Sequence, residues 1–150
     1  MPGEEVEHPG EALVEQNIRR GQGDEPYEKR VTTTGEVLEK SATDAHFDGT
    51  SWHFAPQSLV WRRLGQLDPG ELAAVRAAVT DSGFMDAAPD HRPSGSSIGG
   101  SDVTWAATLE GRTHSVTLHG VPDVHVAEVD ALASVVEAAI ASALDRASRA

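Results

Sequence analysis

The chain has no cysteine in its 150 residues, which removes disulfides and thiolate metal sites at once and fits a reducing, cytoplasmic location. No apolar run is long and charge-free enough to cross a bilayer. The opening residues Met1, Pro2, Gly3, Glu4, Glu5 and Val6 lack the basic start and apolar stretch of a secretory signal, so no membrane partner is expected. Basic residues are also scarce: 12 Lys and Arg stand against 24 Asp and Glu, for a net charge of -12. A phosphate backbone is gripped by clustered cations that release counterions. Here the basic pairs Arg19/Arg20, Lys29/Arg30 and Arg62/Arg63 are isolated and outnumbered, so nucleic acid is not an expected ligand.

What the chain does contain is enough for one domain. A chain of this length buries roughly two thirds of its unfolded surface. Residues 1–10, rich in Glu, Pro and Gly with one Val, read as a flexible acidic tail, and residues 11–150 as a single α+β domain. Residues 12–20 read as a short edge strand ended by Gly21 and Gly23. Residues 27–33 and 36–41 form a hairpin whose register is chosen by charge. A three-residue loop with Gly35 left-handed sets Lys29 against Glu39, Glu28 against Lys40 and Val31 against Val37, whereas a two-residue loop would oppose Lys29 and Lys40.

Residues 57–64 alternate as a further strand, with Leu59 and Trp61 on one face and Val60, Arg62 and Leu64 on the other. A helix over 68–82 starts at Asp68 as N-cap, with Pro69 first in the helix and Glu71 completing a capping box. Leu72, Val75 and Val79 make its buried stripe, and Gly83 ends it before Phe84 turns back to the core. Residues 86–100 read as a long loop. Strands follow on either side of the Glu110/Gly111 turn, burying Val103, Trp105, Ala107, Leu109, His114, Val116 and Leu118. Val126, Val129, Leu132, Val136, Ile140 and Leu144 recur at helical spacing in a helix over 124–146. The expected architecture is therefore two-layer: an antiparallel meander of about four to six strands with both helices on one face.

Several patterns suggest chemistry and weaken in context. Gly95, Ser97 and Gly99 match the spacing of a nucleophile elbow, with Asp102 or Asp123 and His125 following in hydrolase order. That elbow sits between a strand and a helix, whereas Ser97 lies in a Pro/Ser/Gly loop leading into a strand. His114 and His119 are an odd number of residues apart on one strand and face opposite ways. His46 and His53 lie in a loop, and no helical His-Glu pair stands at metal-protease spacing. Asp44, His46, Asp48 and Gly49 begin like a calcium loop, but His46 replaces an oxygen ligand and Ala55 stands at the closing position. Neither a metal nor a cofactor is expected. Of the tryptophans, Trp61 and Trp105 read as core and Trp52 as the one facing a partner.

The sequence Leu67, Asp68, Pro69, Gly70, Glu71, Leu72 opening a helix that ends Asp81, Ser82, Gly83, Phe84, then a loop, a strand headed by Asp102, a Gly111 hairpin and a final helix, resembles the emfourin-like small proteins. The resemblance covers residues 18–144 and implies inhibition of a thermolysin-like metalloprotease. In that family the first strand leads into a Ser-Gly-Gly-Phe-like turn; the matching place here, residues 19–24, keeps the glycines and lacks the aromatic. The expectation is a non-catalytic acidic protein-binding module with a metalloprotease as partner, contacting it through Gly21, Gly23, Asp24, Trp52, Pro93 and Ser97. The alternatives are a small hydrolase or metal-dependent enzyme using Ser97 or a cluster of His46, His53 and His125, and a structural, oligomer-forming protein.

Overall fold

The computed structural model describes residues 4–19, 27–42, 46–50, 52–53, 59–92, 101–121 and 124–149. Its elements are β1 (Glu4–Val6), β2 (Ala12–Arg19), β3 (Tyr27–Thr32), β4 (Glu36–Ala42), β5 (His46–Phe47), β6 (Trp52–His53), β7 (Leu59–Gln66), α1 (Pro69–Asp81), β8 (Asp90–His91), β9 (Ser101–Leu109), β10 (Arg112–Val121) and α2 (Ala127–Ser148), with a short 3-10 turn at Phe84–Asp86. The fold is α+β. Eight strands form one sheet in the order β1-β7-β4-β3-β2-β9-β10-β8, and β5 pairs with β6 in a separate ribbon.

The β3–β4 register is the one charge pairing selects: Glu28 faces Lys40, Lys29 faces Glu39 and Val31 faces Val37. Gly35 has φ 90°, a left-handed value that glycine adopts without steric cost, and its N–H donates to Thr32 O at 3.0 Å. At the β9–β10 hairpin Glu110 (φ 52°) and Gly111 (φ 79°) both turn left-handed between Leu109 and Arg112, the two-residue primed turn whose twist matches its strands.

The capping box at α1 forms as the sequence dictates. Glu71 N–H donates to Asp68 Oδ1 at 2.7 Å, and Asp68 N–H donates to Glu71 Oε1 at 2.8 Å. Gly83, at φ 79°, reverses the chain so that Phe84 is fully buried. In α2 the buried stripe is Val129, Leu132, Val136, Ala139, Ile140 and Ala143, at three- and four-residue spacing. These side chains join Val75, Val79, Val14, Val31, Val37, Val103, Trp105, Val116 and Leu118 in one core.

The sheet differs from the expected meander of four to six antiparallel strands. It has eight strands and is mixed, because β8 pairs parallel to β10 through Thr117/Asp90 and Leu118/His91. The segment leading into β8 is drawn along the β10 edge by two side chains and one backbone N–H of β10. Arg112 donates to Met85 O at 2.8 Å, His114 Nε2 lies 2.8 Å from Ala87 O, and Thr117 N–H donates to Pro89 O at 2.8 Å. Nor is β2 an edge strand: it lies between β3 and β9, a neighbour far away in sequence. A bulge between Ala12 and Val14 lets the consecutive Leu13 and Val14 both enter the core. Residues 4–6, read from sequence as tail, pair with β7 and form one edge of the sheet.

Candidate functional site

Strand alternation sends Val31, Val37 and Leu64 toward the helices and leaves Arg30, Leu38, Lys40, Trp61 and Arg63 on the opposite face. Leu38 is fully buried there, outside the main core. Trp61 is half-buried, with the Arg30 guanidinium carbon 4.6 Å and Lys40 Nζ 5.7 Å from its ring centroid. Both cations sit within range of the negative ring face.

Carboxylates hold these cations in place. Arg30 forms an ion pair and hydrogen bond with Glu15 and donates to Gly10 O at 2.9 Å, which fixes the chain crossing from β1 to β2. Arg63 pairs with Glu36 at 2.6 Å, and Lys40 lies 3.9 Å from Glu28. The result is an aromatic platform framed by oriented charges, the combination that dominates binding energy at protein interfaces.

On the β2–β9–β10 side the same face dips into a polar groove of about 410 Å³ lined by Glu15, Asn17, Glu28, Asp102, Thr104 and Thr117 among others. Ala106 lines it too, and its short side chain leaves room where a longer one would fill the groove. Threonine pairs brace the floor, with Thr104 and Thr117 hydroxyls 2.9 Å apart. Burial raises the Glu28 pKa, the Glu15 carboxylate adds to the rise, and Lys40 and Arg30 oppose it. At the end of the groove His119 Nε2 lies 2.6 Å from Asp90 and Nδ1 lies 3.4 Å from Asp102, tying β8, β9 and β10 together. The His119 hydrogen bond holds the Asp90 carboxyl below its ordinary range.

A second concavity, about 370 Å³, opens between α2 and strands β2, β3 and β9. Val14, Val31, Trp105, Val136 and Ile140 form its walls, and Gln16, Lys29 and Glu137 its polar rim.

Gly21, Gly23, Asp24, Pro93 and Ser97 lie outside the described residues. Trp52 has its backbone in the small ribbon opposite Phe47, and its side chain is outside the described set. His46 and His53 are register partners there, with rings stacked at 5.6 Å, and His53 is bound to Asp48 at 2.5 Å. His125 instead stands 3.8 Å from Asp130 at the start of α2. Among the described residues no group of three or more His, Cys, Asp or Glu is placed to hold a metal ion. Asp102 faces His119 and not His125, so the hydrolase order in the sequence does not assemble through that pair.

His114 and His119 do find partners on opposite sides, His114 against the Phe84 ring at 5.8 Å and Ala87 O, His119 against the two aspartates. Trp105 is core, as its strand position implies, but Trp61 is not. Alternation grouped Trp61 with Leu59 correctly; what it could not say is which face of β7 the helices cover. No family model matches the chain, and no curated protein matches it.

Proposed function

We propose that this protein is a non-catalytic, cytoplasmic protein-binding module whose contact surface is the sheet face opposite the helices. The observation that supports this reading is the half-exposed Trp61 held between Arg30 and Lys40. An indole with pre-positioned guanidinium and ammonium groups presents large contact area at little entropic cost, because the ion pairs to Glu15 and Glu28 already restrain the long side chains. The net charge of -12 would steer a partner with a basic surface.

The resemblance carried by Leu67–Leu72 and the elements after it supplies the partner class, a thermolysin-like metalloprotease inhibited by occlusion of its cleft. Binding of this kind requires no reaction by the chain's own groups. In the test, the purified chain is mixed with a thermolysin-like enzyme, and complex formation and peptide hydrolysis are followed. Wild type should form a complex and slow hydrolysis, and Trp61→Ala and Arg30→Glu should weaken both by tenfold or more. Equal behaviour of wild type and both variants would remove this surface from the function.

The apolar cleft under α2 supports a second reading, a carrier of a small apolar molecule, since its volume and mostly hydrophobic walls match ligand pockets. Binding of a fluorescent apolar probe, quenched by Ile140→Trp, which fills the cleft, would favour it.

A further inference from the structure

We infer that the outer edge of β7 is a strand-addition site for an extended segment of the form acid-acid-apolar, and that β1 is its built-in occupant. The inference rests on the protein-binding reading and names the partner chemistry for one border of that surface.

Strand β1 has three residues and lies antiparallel to β7, which has eight. The register places Glu4 opposite Arg63, Glu5 opposite Arg62 and Val6 opposite Trp61. Opposite charges in direct cross-strand register attract, and an aliphatic residue facing an indole buries apolar surface. In backbone register, the charge and apolar character of β1 therefore complement those of β7 at three positions on alternating faces, with no direct Glu4–Arg63 or Glu5–Arg62 ion pair among the described residues. Arg63 also pairs with Glu36 at 2.6 Å, so its guanidinium is held in place by β4 whether or not β1 is seated.

Two features make this edge exchangeable. Main-chain pairing along three residues is a small contact, and short edge strands are weakly held. Toward the start of β7, Leu59 and Val60 have no β1 partner among the described residues, since the register ends at Val6 opposite Trp61. An incoming strand longer than three residues would gain backbone hydrogen bonds that β1 does not make. It would be selected by the same two arginines and by Trp61, the usual division in strand addition between backbone affinity and side-chain specificity.

The experiment uses the full chain and a fluorescein-labelled peptide carrying residues 1–8, read by fluorescence anisotropy. In Glu4→Lys/Glu5→Lys the resident strand opposes like charge with like charge, so the edge opens more often and the peptide should bind about tenfold tighter than to wild type. In Arg62→Glu/Arg63→Glu binding should be lost, and the milder Arg62→Gln/Arg63→Gln should weaken it, with circular dichroism checking that both remain folded. Equal affinity for wild type and Glu4→Lys/Glu5→Lys, or undiminished binding by the arginine variants, would overturn the assignment. So would a concentration-dependent dimer that disappears in Glu4→Lys/Glu5→Lys, since a second copy would then own the edge. If a protein complex sensitive to Trp61→Ala persists while the peptide never binds β7, the edge inference fails and the protein-binding reading stands.

Discussion

Replacing Glu71 with Gln tests how the two helices are joined. Glu71 accepts hydrogen bonds from Arg146 at 2.6 and 3.2 Å, and Arg146 also donates to Gln66 O at 3.0 Å and lies 3.6 Å from Asp68. The end of α2 is thereby fastened to the start of α1. The Arg146 hydrogen bonds, helped by the Asp68 N–H, lower the Glu71 pKa from 4.5 to about 2. A lowered pKa means that the charged form stabilises the fold at neutral pH. Arg146 is 47% exposed, so solvent screening reduces the realistic contribution to about 1 kcal/mol.

Because the folded chain binds this proton more weakly than the unfolded chain, the contribution is complete above the unfolded pKa of about 4.5 and fades as pH falls toward 2. Urea denaturation of wild type and Glu71→Gln should therefore differ by about 1 kcal/mol from pH 6 to 7 and converge near pH 2. Gln can still accept the capping bond from Asp68 N–H, so the cap is kept while the charge and one acceptor for Arg146 are removed. A double-mutant cycle with Arg146→Met should return a favourable coupling at pH 7 that disappears near pH 2. A difference between wild type and Glu71→Gln that stays constant down to pH 2 would refute the ion-pair account.

Four further outcomes follow from the packing and electrostatics. Leu132→Ala, at a fully buried position in α2, should cost about 2–5 kcal/mol by chemical denaturation. Gly35→Ala should cost about 1–3 kcal/mol, since φ is 90° and the new Cβ would lie 2.9 Å from Gln66 Nε2; equal stability would show that the turn relaxes. Glu28→Gln should stabilise the protein at pH 7, because burial and Glu15 disfavour the carboxylate, with the gain vanishing as pH falls and Glu28 protonates in wild type. Asp90→Asn should loosen β8 and speed hydrogen exchange at Thr117 N–H, which donates to Pro89 O; unchanged protection would show that the backbone pairing suffices without His119.

Local signals carried the α1 boundaries, the Gly35 and Gly111 turns, the β3–β4 register and the stripe of α2. In each, the deciding interaction joins residues close in sequence: Asp68 with Glu71, Lys29 with Glu39, Val129 with Leu132 and Val136. A cap, a charge pair or a periodic face is complete within a few turns or one hairpin, so its energetics can be worked out before any fold is known.

The pairing of β2 with β9, the parallel seat of β8 and the return of residues 4–6 to β7 were decided only by the tertiary structure, since each joins segments separated by tens of residues. So was the surface on which function is proposed. Strand period separates Trp61 from Leu64 but is symmetric between two faces, and only the packing of α1 and α2 makes one of them core and leaves the other to Arg30, Lys40 and Trp61. The sequence by itself determined the two helices, the longer strands β2, β3, β4, β7, β9 and β10 and the turns between hairpin strands, but not the short strands β1, β5, β6 and β8. Which sheet face is covered and which residues meet across it depend on long-range burial, which no local pattern encodes.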